Sequence, residues 1–334
     1  MLVSEMGEFE LIEHLARIIP QKGPGVVKAL GDDCAVLQIP GELTLWTMDS
    51  TIEGIHYLPH LATPAEIGRK ALLSNLSDLA AMGGTPRYAI ISLSLPAETS
   101  VEWVERLYSG IAELARKTGV SIVGGNTSRS PQGVRLEISV LGTVREVEIL
   151  RRDGAMPGDI VMVTGSLGDG YCGLESALHP EIPVDTQTRE ILLARYRNPV
   201  LYLEEARIIA ASGLASSMID ISDGLSSDLL HICNASKVGV EVDSRKLPIS
   251  DEVTRFSKGS GAEAWNYALA GGDDYGLLLT APERTCEELI KKISSSTGTM
   301  LTAIGRILEP EELRTIILPD DSRQELNAAA WQHF

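Results

Sequence analysis

The sequence lacks the features that define several common protein classes. Its four cysteines lie far apart, with no Cys-x-x-Cys pair and no Cys/His cluster, which argues against a zinc site and favours buried thiols in a reducing cytoplasm. Aromatic residues make up only 4% of the chain, too few for a base-stacking platform. No segment approaches the roughly 18 consecutive apolar residues of a membrane span. The first 20 residues carry acids where a signal peptide needs bases. We therefore expect a cytoplasmic protein.

Basic residues are also scarce. Lys and Arg total 29 against 46 Asp and Glu, a formal net charge of −17. Such a surface repels phosphate backbones, so nucleic-acid binding is not expected. A phosphorylated small molecule remains compatible, because bound cations can invert the local field. The length of 334 residues, with 44% hydrophobic residues, suggests two globular domains.

Strand and helix signals alternate along the chain, which predicts an α/β or α+β fold. A capping box at Thr63–Glu66 opens an amphipathic helix that Gly83-Gly84 should stop. The polar, turn-rich segment 151–159 predicts a domain boundary, with an N-terminal domain over 1–150 and a C-terminal domain over 151–334. Strands are predicted at 43–48 and 120–123, leading into Asp49 and into a glycine pair respectively, and also at 160–164 and 217–221. A first helix is predicted over 8–19, and apolar residues at helical spacing from Val101 to Leu114 predict another that Gly119 should end.

Three acidic positions of the N-terminal half could carry chemistry. Asp33 belongs to a Gly-Asp-Asp motif, Asp49 follows an apolar strand, and Asp78 lies beside the apolar face of its predicted helix. Clustered carboxylates are costly without a cation, and hard oxygen ligands suit magnesium. A solvated turn at Asp33 and a buried helix–helix hydrogen bond at Asp78 remain alternatives.

Glycine-rich segments precede further polar residues. Gly124-Gly125 could let backbone approach a phosphate or could form an ordinary turn. A strand leads directly into a helix in the segment Asp220-Ile221-Ser222-Asp223-Gly224. Amide and hydroxyl donors at a helix N-terminus favour binding of a phosphate, and the two acids favour the metal bound to that phosphate. Helix capping could explain Ser222 or Asp223, but it does not explain Asp220. The segment Gly271–Asp274 repeats the pattern of glycines followed by paired acids.

His56, in Glu-Gly-Ile-His-Tyr, could contact a substrate or could be structural. Each motif alone is weak evidence. Together they place at least six aspartates at predicted strand ends or helix starts, repeatedly beside glycine. This pattern fits a phosphoryl-transfer site with several magnesium ions, where catalysis consists mainly of positioning and charge neutralisation.

The order of these motifs resembles the thiamine-monophosphate kinase family. That family belongs to a superfamily that includes aminoimidazole ribonucleotide synthetase and selenophosphate synthetase. The resemblance runs over essentially the whole chain, through GDD, EGxHY, NLSDLAAMG, GGNTSRS, DISDGL, GGDDY and the closing Trp-Gln-His-Phe. It implies transfer of the ATP γ-phosphoryl to thiamine monophosphate, by direct in-line attack without a catalytic nucleophile. It also implies a homodimer, an N-terminal domain whose strands form a barrel across that dimer, and a C-terminal domain completing the nucleotide and substrate cleft.

Site residues follow from the resemblance position by position. The implied magnesium ligands are Asp33, Asp49, Asp78, Asp220, Asp223, Asn126 and Met48, with Thr47 and Met48 standing where the family usually has a metal-side hydroxyl. The implied ATP-binding residues are Asp33, Gly125, Asn126, Arg152 and Ser222. The implied substrate-binding residues are His56, Asp273 and Trp331, whose indole could stack on the cationic thiazolium.

The chain departs from the family pattern at several positions. Asn126 stands where the family usually has Asp, and Asp273 and Gly276 stand where a pair of Glu residues usually frames the tyrosine. The family's Arg-Pro-x-Pro-Arg run is present only as the segment 195–201. These departures keep two alternatives open, a kinase for another small molecule and a weakly active nucleotide-binding homologue.

Overall fold

The computed structural model describes residues 14, 15, 17–20, 22–28, 36, 37 and 43–328. Asp33 and Trp331, and most of the predicted first helix over 8–19, lie outside these residues. The chain divides into two compact units, Met1–Leu79 with Gly84–Glu146, and Ala80–Gly83 with Val147–Phe334. No helix in the described ranges is long and apolar enough to cross a membrane.

In its described residues, the first unit contains a four-stranded sheet and two long helices. Its elements are listed in chain order: β1 (Val26–Lys28), β2 (Val36–Leu37), β3 (Leu43–Ile52), α1 (Pro64–Ala81), β4 (Thr85–Leu95), α2 (Val101–Thr118), β5 (Ser121–Arg129) and β6 (Arg135–Val144). The sheet has the strand order β3-β6-β4-β5, and β1 pairs separately with β2. Within the described residues, the larger sheet is open, with β3 and β5 at its edges. The implied closed barrel is therefore not formed by this chain alone.

The predicted capping box begins α1. The Thr63 amide donates to Glu66 Oε2 at 2.7 Å, and the Glu66 amide donates back to Thr63 Oγ1 at 3.3 Å. This reciprocal pair satisfies amides that the first turn of a helix leaves without partners. The helix ends at Ala81, and Gly83 adopts a left-handed φ of 72°. The local signals at both ends were therefore sufficient to predict this helix.

Helices α1 and α2 approach each other through glycine. A Cβ on Gly110 of α2 would lie 1.9 Å from the Ala65 carbonyl oxygen of α1, and one on Gly68 would lie 2.1 Å from the Leu107 carbonyl oxygen. Backbone contact this close excludes any larger side chain at either position. The pair of glycines thus fixes the position of α1, which carries Asp78.

The second unit is built on a seven-stranded sheet. Its elements are listed in chain order: β7 (Ile160–Thr164), α3 (Asp169–Leu178), α4 (Thr186–Arg197), α5 (Leu203–Ser212), β8 (Ser217–Ile221), α6 (Leu225–Ser236), β9 (Gly239–Asp243), α7 (Asp251–Ser260), α8 (Ala264–Ala270), β10 (Gly276–Ala281), α9 (Glu283–Thr297), β11 (Leu301–Leu308), β12 (Arg314–Ile317) and β13 (Arg323–Glu325). The strand order is β13-β12-β9-β11-β7-β10-β8. Among the described strands of this sheet, only the β12–β9 pairing is parallel.

Both faces of this sheet are buried. Along β7, Val161 and Val163 join a core with α6, whereas Met162 between them joins a core with α5 and α9. Strands covered on both faces need continuous apolar sequence, which explains the run Ile-Val-Met-Val. The strands predicted at 160–164 and 217–221 are present with those bounds.

Candidate active site

In the first unit, a hydroxyl holds one of the predicted metal ligands. Thr47 Oγ1 of β3 donates a hydrogen bond of 2.6 Å to Asp78 Oδ2 of α1. Side chains alternate along a strand, so Asp49 lies on the same face of β3 as Thr47, about 7 Å further along. The helix and the strand therefore bring two carboxylates and one hydroxyl to the inner face of the sheet.

Strand β3 is longer than predicted, so Asp49 does not end it. The strand pairs with β6 from Leu43, opposite Val144, to Ile52, opposite Arg135. Asp49 lies within this ladder, opposite Ile138. The polar residues 47, 49 and 51 suggested in the sequence that the strand ends there. In the structure the strand continues, and these residues lie on its inner face.

The side chains of Met48 and Asn126 do not join Asp49. Met48 is 59% exposed on the outer face of β3. The strand register aligns Ser50 with Asn126 in one row across the sheet, and Asp49 with Gly125 in the neighbouring row. Neighbouring rows point to opposite faces. The glycine pair before Asn126 lies within β5 rather than in a phosphate-binding turn, because β5 continues to Arg129 in parallel with β4.

His56 lies in the turn after β3. Its Nδ1 accepts a 3.0 Å hydrogen bond from the Ile52 amide, which in a neutral imidazole places the proton on Nε2. The turn borders an open groove of about 400 Å³, lined by Ile52–Ile55, Pro59 and Gln132–Arg135. His56 is therefore held by the backbone with its ring in a defined tautomer.

In the second unit, three loops meet at one edge of the sheet. They follow β7, follow β8 and precede β10, which are neighbouring strands. The Asp273 amide donates to the Ser222 carbonyl oxygen at 2.9 Å, and the Tyr275 amide donates to that of Ile221 at 2.8 Å. The loop after β8 and the loop before β10 are thus joined through their backbones.

Asp274 joins the third loop to this pair. Its Oδ2 accepts from the Gly168 amide at 2.6 Å, and its Oδ1 accepts from the Gly170 amide at 3.2 Å. The pKa of Asp274 is raised to about 8, mainly by burial and in smaller part by the charges of Asp169 and Asp273. The two hydrogen bonds from the glycine amides act in the opposite direction and lower it. The neighbouring Asp169 accepts hydrogen bonds from the hydroxyls of Ser166 and Ser250.

Asp228, in the first turn of α6, supports the loop after β8. It is 2% exposed, and its Oδ2 accepts from three successive amides, those of Ser222 at 3.1 Å, Asp223 at 3.2 Å and Gly224 at 3.1 Å. Burial, reinforced by the charge of Asp223, raises the pKa of Asp228 to about 7 against those bonds. The sequence predicted that these amides would bind phosphate, but the protein's own carboxylate already occupies them.

Asp273 is held in an uncommon conformation. Its φ is +66° and that of Tyr275 is +52°, values that side chains larger than glycine rarely adopt. The Tyr275 hydroxyl donates to Asp273 Oδ1 at 3.1 Å. Burial and the nearby charge of Asp273 raise the pKa of Tyr196 to about 12. Strain of this kind concentrates at functional sites, which agrees with the predicted role of Asp273.

Asp220 and Arg152, the remaining predicted site residues of the second unit, lie in different places. Asp220 is 3% exposed within β8, two residues before Ser222. Arg152 lies at the other end of α6, where its carbonyl oxygen accepts from Ser236 Oγ at 2.8 Å. The 12 residues of α6 span about 18 Å, so the Arg152 backbone is distant from Ser222 within this unit.

Within the described ranges, no group of three or more His, Cys, Asp or Glu side chains forms a ready metal site. The donors present nevertheless suit magnesium, which prefers oxygen ligands and usually keeps several waters beside one or two carboxylates. Asp49 and Asp78 offer carboxylates in the first unit, and Asp220 of β8 and Asp223 of the loop after it offer carboxylates in the second.

Comparison with known proteins identifies the class of protein. The family model "AIR synthase related protein, N-terminal domain" matches residues 31–144, and the model of the corresponding C-terminal domain matches residues 156–317. Among relatives, the thiamine-monophosphate kinase of Escherichia coli (strain K12) is 38% identical over 329 residues, with 98% of each chain covered.

Two solved structures share the fold over nearly the whole chain. The thiamine-monophosphate kinase from Stenotrophomonas maltophilia K279a has a TM-score of 0.82 at 33% identity, covering 96% of this chain and 98% of that one. AaThiL complexed with AMPPCP and TMP has a TM-score of 0.77 at 32% identity, covering 100% and 99%. The chain belongs to the thiamine-monophosphate kinase family, which confirms the resemblance found in the sequence.

Proposed function

We propose that this protein phosphorylates thiamine monophosphate to thiamine diphosphate, with ATP as the phosphoryl donor. The observation that carries the proposal is the full-length similarity to AaThiL, which was solved with AMPPCP and TMP. The inner-face carboxylates of the first unit and the aspartate-rich loop edge of the second support it. Both are arrangements of oxygen donors that suit magnesium-bound phosphates.

We assign the magnesium ions to Asp33, Asp49, Asp78, Asp220 and Asp223. We do not include Met48 and Asn126 among these ligands, because their side chains lie on the opposite face of the sheet from Asp49. When bound, the ions would neutralise charge on the transferring phosphoryl group. Thr47 would hold Asp78 in one orientation through its 2.6 Å hydrogen bond.

Ser222 and Gly125 would contact ATP. The proposed ATP contact of Arg152 would be made by its side chain, because its backbone lies at the other end of α6 from Ser222. His56, whose Nδ1 accepts a hydrogen bond from the Ile52 amide, would contact the substrate phosphate. Asp273 and Trp331 would contact the thiamine moiety. A substrate phosphate oxygen is already anionic at neutral pH, so the reaction needs no covalent nucleophile and proceeds by direct in-line attack.

Product analysis tests the proposal. Purified protein with ATP, magnesium and thiamine monophosphate should form thiamine diphosphate, measured by chromatography after oxidation to fluorescent thiochrome products. Asp78→Ala should lose this activity while its circular dichroism spectrum stays that of the wild type, and Ser109→Ala, an exposed substitution on α2, should retain it. Turnover of a different phosphate acceptor with none of thiamine monophosphate would favour the sibling-kinase alternative suggested by Asp273 and Gly276. ATP binding without turnover would favour the weakly active homologue.

We also propose a homodimer formed through the outer face of the four-stranded sheet. This face exposes Trp46 at 73% and Met48 at 59% on β3, and Ile90 at 43% on β4, which is separated from β3 by β6. Large exposed apolar side chains on one face mark protein–protein interfaces. Light scattering should give twice the chain mass of 36.0 kDa. Met48→Glu should give the single mass, and Ser109→Glu should not. A monomeric wild-type protein would contradict the proposal.

A further inference from the structure

The loop between β8 and α6 is shaped by a side chain rather than by its own backbone bonds. Three consecutive amides, from Ser222 to Gly224, point at the single oxygen Oδ2 of Asp228, at 3.1–3.2 Å. Converging successive amides are the usual geometry of a backbone anion nest. Here the anion belongs to the same chain, four residues beyond the loop.

This arrangement decides what the loop can offer to a ligand. Its amides are directed at Asp228 and are not available to a phosphate. The Ser222 hydroxyl and the Asp223 carboxylate, both on half-buried residues, are the groups that remain. Their positions depend on a backbone that includes Gly224 at a φ of +124°, a conformation that other residues rarely adopt.

A second contact couples the position of this loop to that of the loop before β10. The Ser222 carbonyl oxygen accepts the Asp273 amide at 2.9 Å, and a Cβ on Gly272 would lie 2.6 Å from that same oxygen. The loop before β10 therefore packs directly on the backbone that Asp228 holds. Displacement of Ser222 would also move Asp273.

We propose that Asp228 is a positioning residue of the phosphoryl-transfer site. It fixes the backbone of Ser222–Gly224 so that the Ser222 hydroxyl and the Asp223 carboxylate are preorganised for magnesium-bound nucleotide. The inference rests on the proposed function, because it assigns Ser222 and Asp223 to nucleotide and metal. Asp228 itself contacts neither substrate nor metal in this account.

Substitutions at Asp228 test the proposal. Asp228→Ala removes the shared acceptor. A loss of about 1.5–3 kcal/mol for one hydrogen bond to a charged group corresponds to at least a tenfold change. We expect the magnesium concentration for half-maximal activity to rise at least about tenfold and kcat to fall, with a smaller change in the KM for thiamine monophosphate. Asp228→Asn keeps one acceptor oxygen and should stay within about threefold of the wild type. Ser227→Ala, on the same helical turn, should match the wild type.

Further readouts separate this proposal from the proposed function. Magnesium-dependent binding of the ATP analogue AMPPCP, measured by calorimetry, should weaken in Asp228→Ala and persist in Asp228→Asn, even if the protein phosphorylates no thiamine compound. Amide hydrogen exchange should show faster exchange at residues 222–224 in the Ala variant alone. If Asp228→Ala does not fold, Asp228→Glu, which keeps the charge but displaces it by one methylene, should show the same shift in magnesium dependence. A folded Ala or Glu variant with wild-type magnesium dependence and wild-type AMPPCP affinity would overturn the proposal.

Discussion

Replacement of Asp274 by alanine should destabilise the second unit by removing two hydrogen-bond acceptors at the start of α3. The amides of Gly168 and Gly170, both on buried residues, would lose their partners, at 2.6 and 3.2 Å in the structure. Leaving a buried donor unsatisfied costs about 1–3 kcal/mol, so the two together should cost roughly 2–6 kcal/mol. For a unit of this size, that corresponds to a fall in Tm of roughly 4–24 °C.

The assay is thermal unfolding of the apo protein followed by circular dichroism. Asp274→Asn provides the matched variant, since its single amide oxygen can replace one of the two carboxylate oxygens, and its Tm should lie between those of the wild type and Asp274→Ala. Glu287→Ala, on an exposed position of α9, should leave the Tm unchanged. An Asp274→Ala protein that melts with the wild type would refute the role of this carboxylate in joining the loops.

The difference in Tm between the wild type and Asp274→Asn should depend on pH with a definite sign. The pKa of Asp274 is raised from 3.8 to about 8 in the folded protein, so the folded state keeps a proton that the unfolded chain releases. The stability linked to this proton is complete below pH 4 and is lost as the pH rises through 8. The Tm of the wild type should therefore fall relative to that of Asp274→Asn between pH 5 and pH 8. A relative rise over that interval would contradict the raised pKa.

Three further predictions concern other parts of the chain. Gly110→Ala should lower the Tm of the first unit by several degrees, because its Cβ would lie 1.9 Å from a backbone oxygen of α1 and overpacking costs about 1–3 kcal/mol; Ser109→Ala should not. Thr47→Val should raise the magnesium concentration for half-maximal activity about threefold to tenfold, since it removes the hydroxyl that holds the α1 carboxylate, whereas Thr44→Val on the outer face should have no effect. In a Cys34→Ser variant, the remaining three cysteines should resist labelling by a maleimide in the folded protein, because they are buried and burial raises their pKa; any labelling of the folded variant would contradict this.

Local sequence signals predicted the elements whose ends carry their own determinants. The Thr63–Glu66 capping box begins α1, and Ser100 and Gly119 cap α2 through a side-chain acceptor and a left-handed φ of 78°. The apolar runs at 160–164 and 217–221 form β7 and β8 because the sheet is covered on both faces. The helix ends depend on neighbours a few residues away, and the buried strands are marked by continuous apolar runs; a single sequence displays both signals.

The orientation of site residues depends on pairings that a sequence does not display. Asn126 follows a glycine pair, but the register of β5 against β4 decides its face, and a shift of one residue would reverse that face. Asp274 bonds amides more than 100 residues earlier in the chain. Asp228 was visible in the motif after β8, yet its role depends on the path of the loop around its carboxylate. An aspartate four residues after a Gly at a helix start is the signal that could have indicated it.

The proposed reaction is a magnesium-dependent transfer of the ATP γ-phosphoryl group to the phosphate of thiamine monophosphate. The most direct measurement uses ATP labelled with ³²P in the γ-position and follows the label by thin-layer chromatography with and without magnesium. We expect label in the terminal phosphate of thiamine diphosphate, in equal amount to the ADP formed, and none when EDTA removes the metal. Label recovered only as inorganic phosphate, or transfer that continues without magnesium, would contradict it.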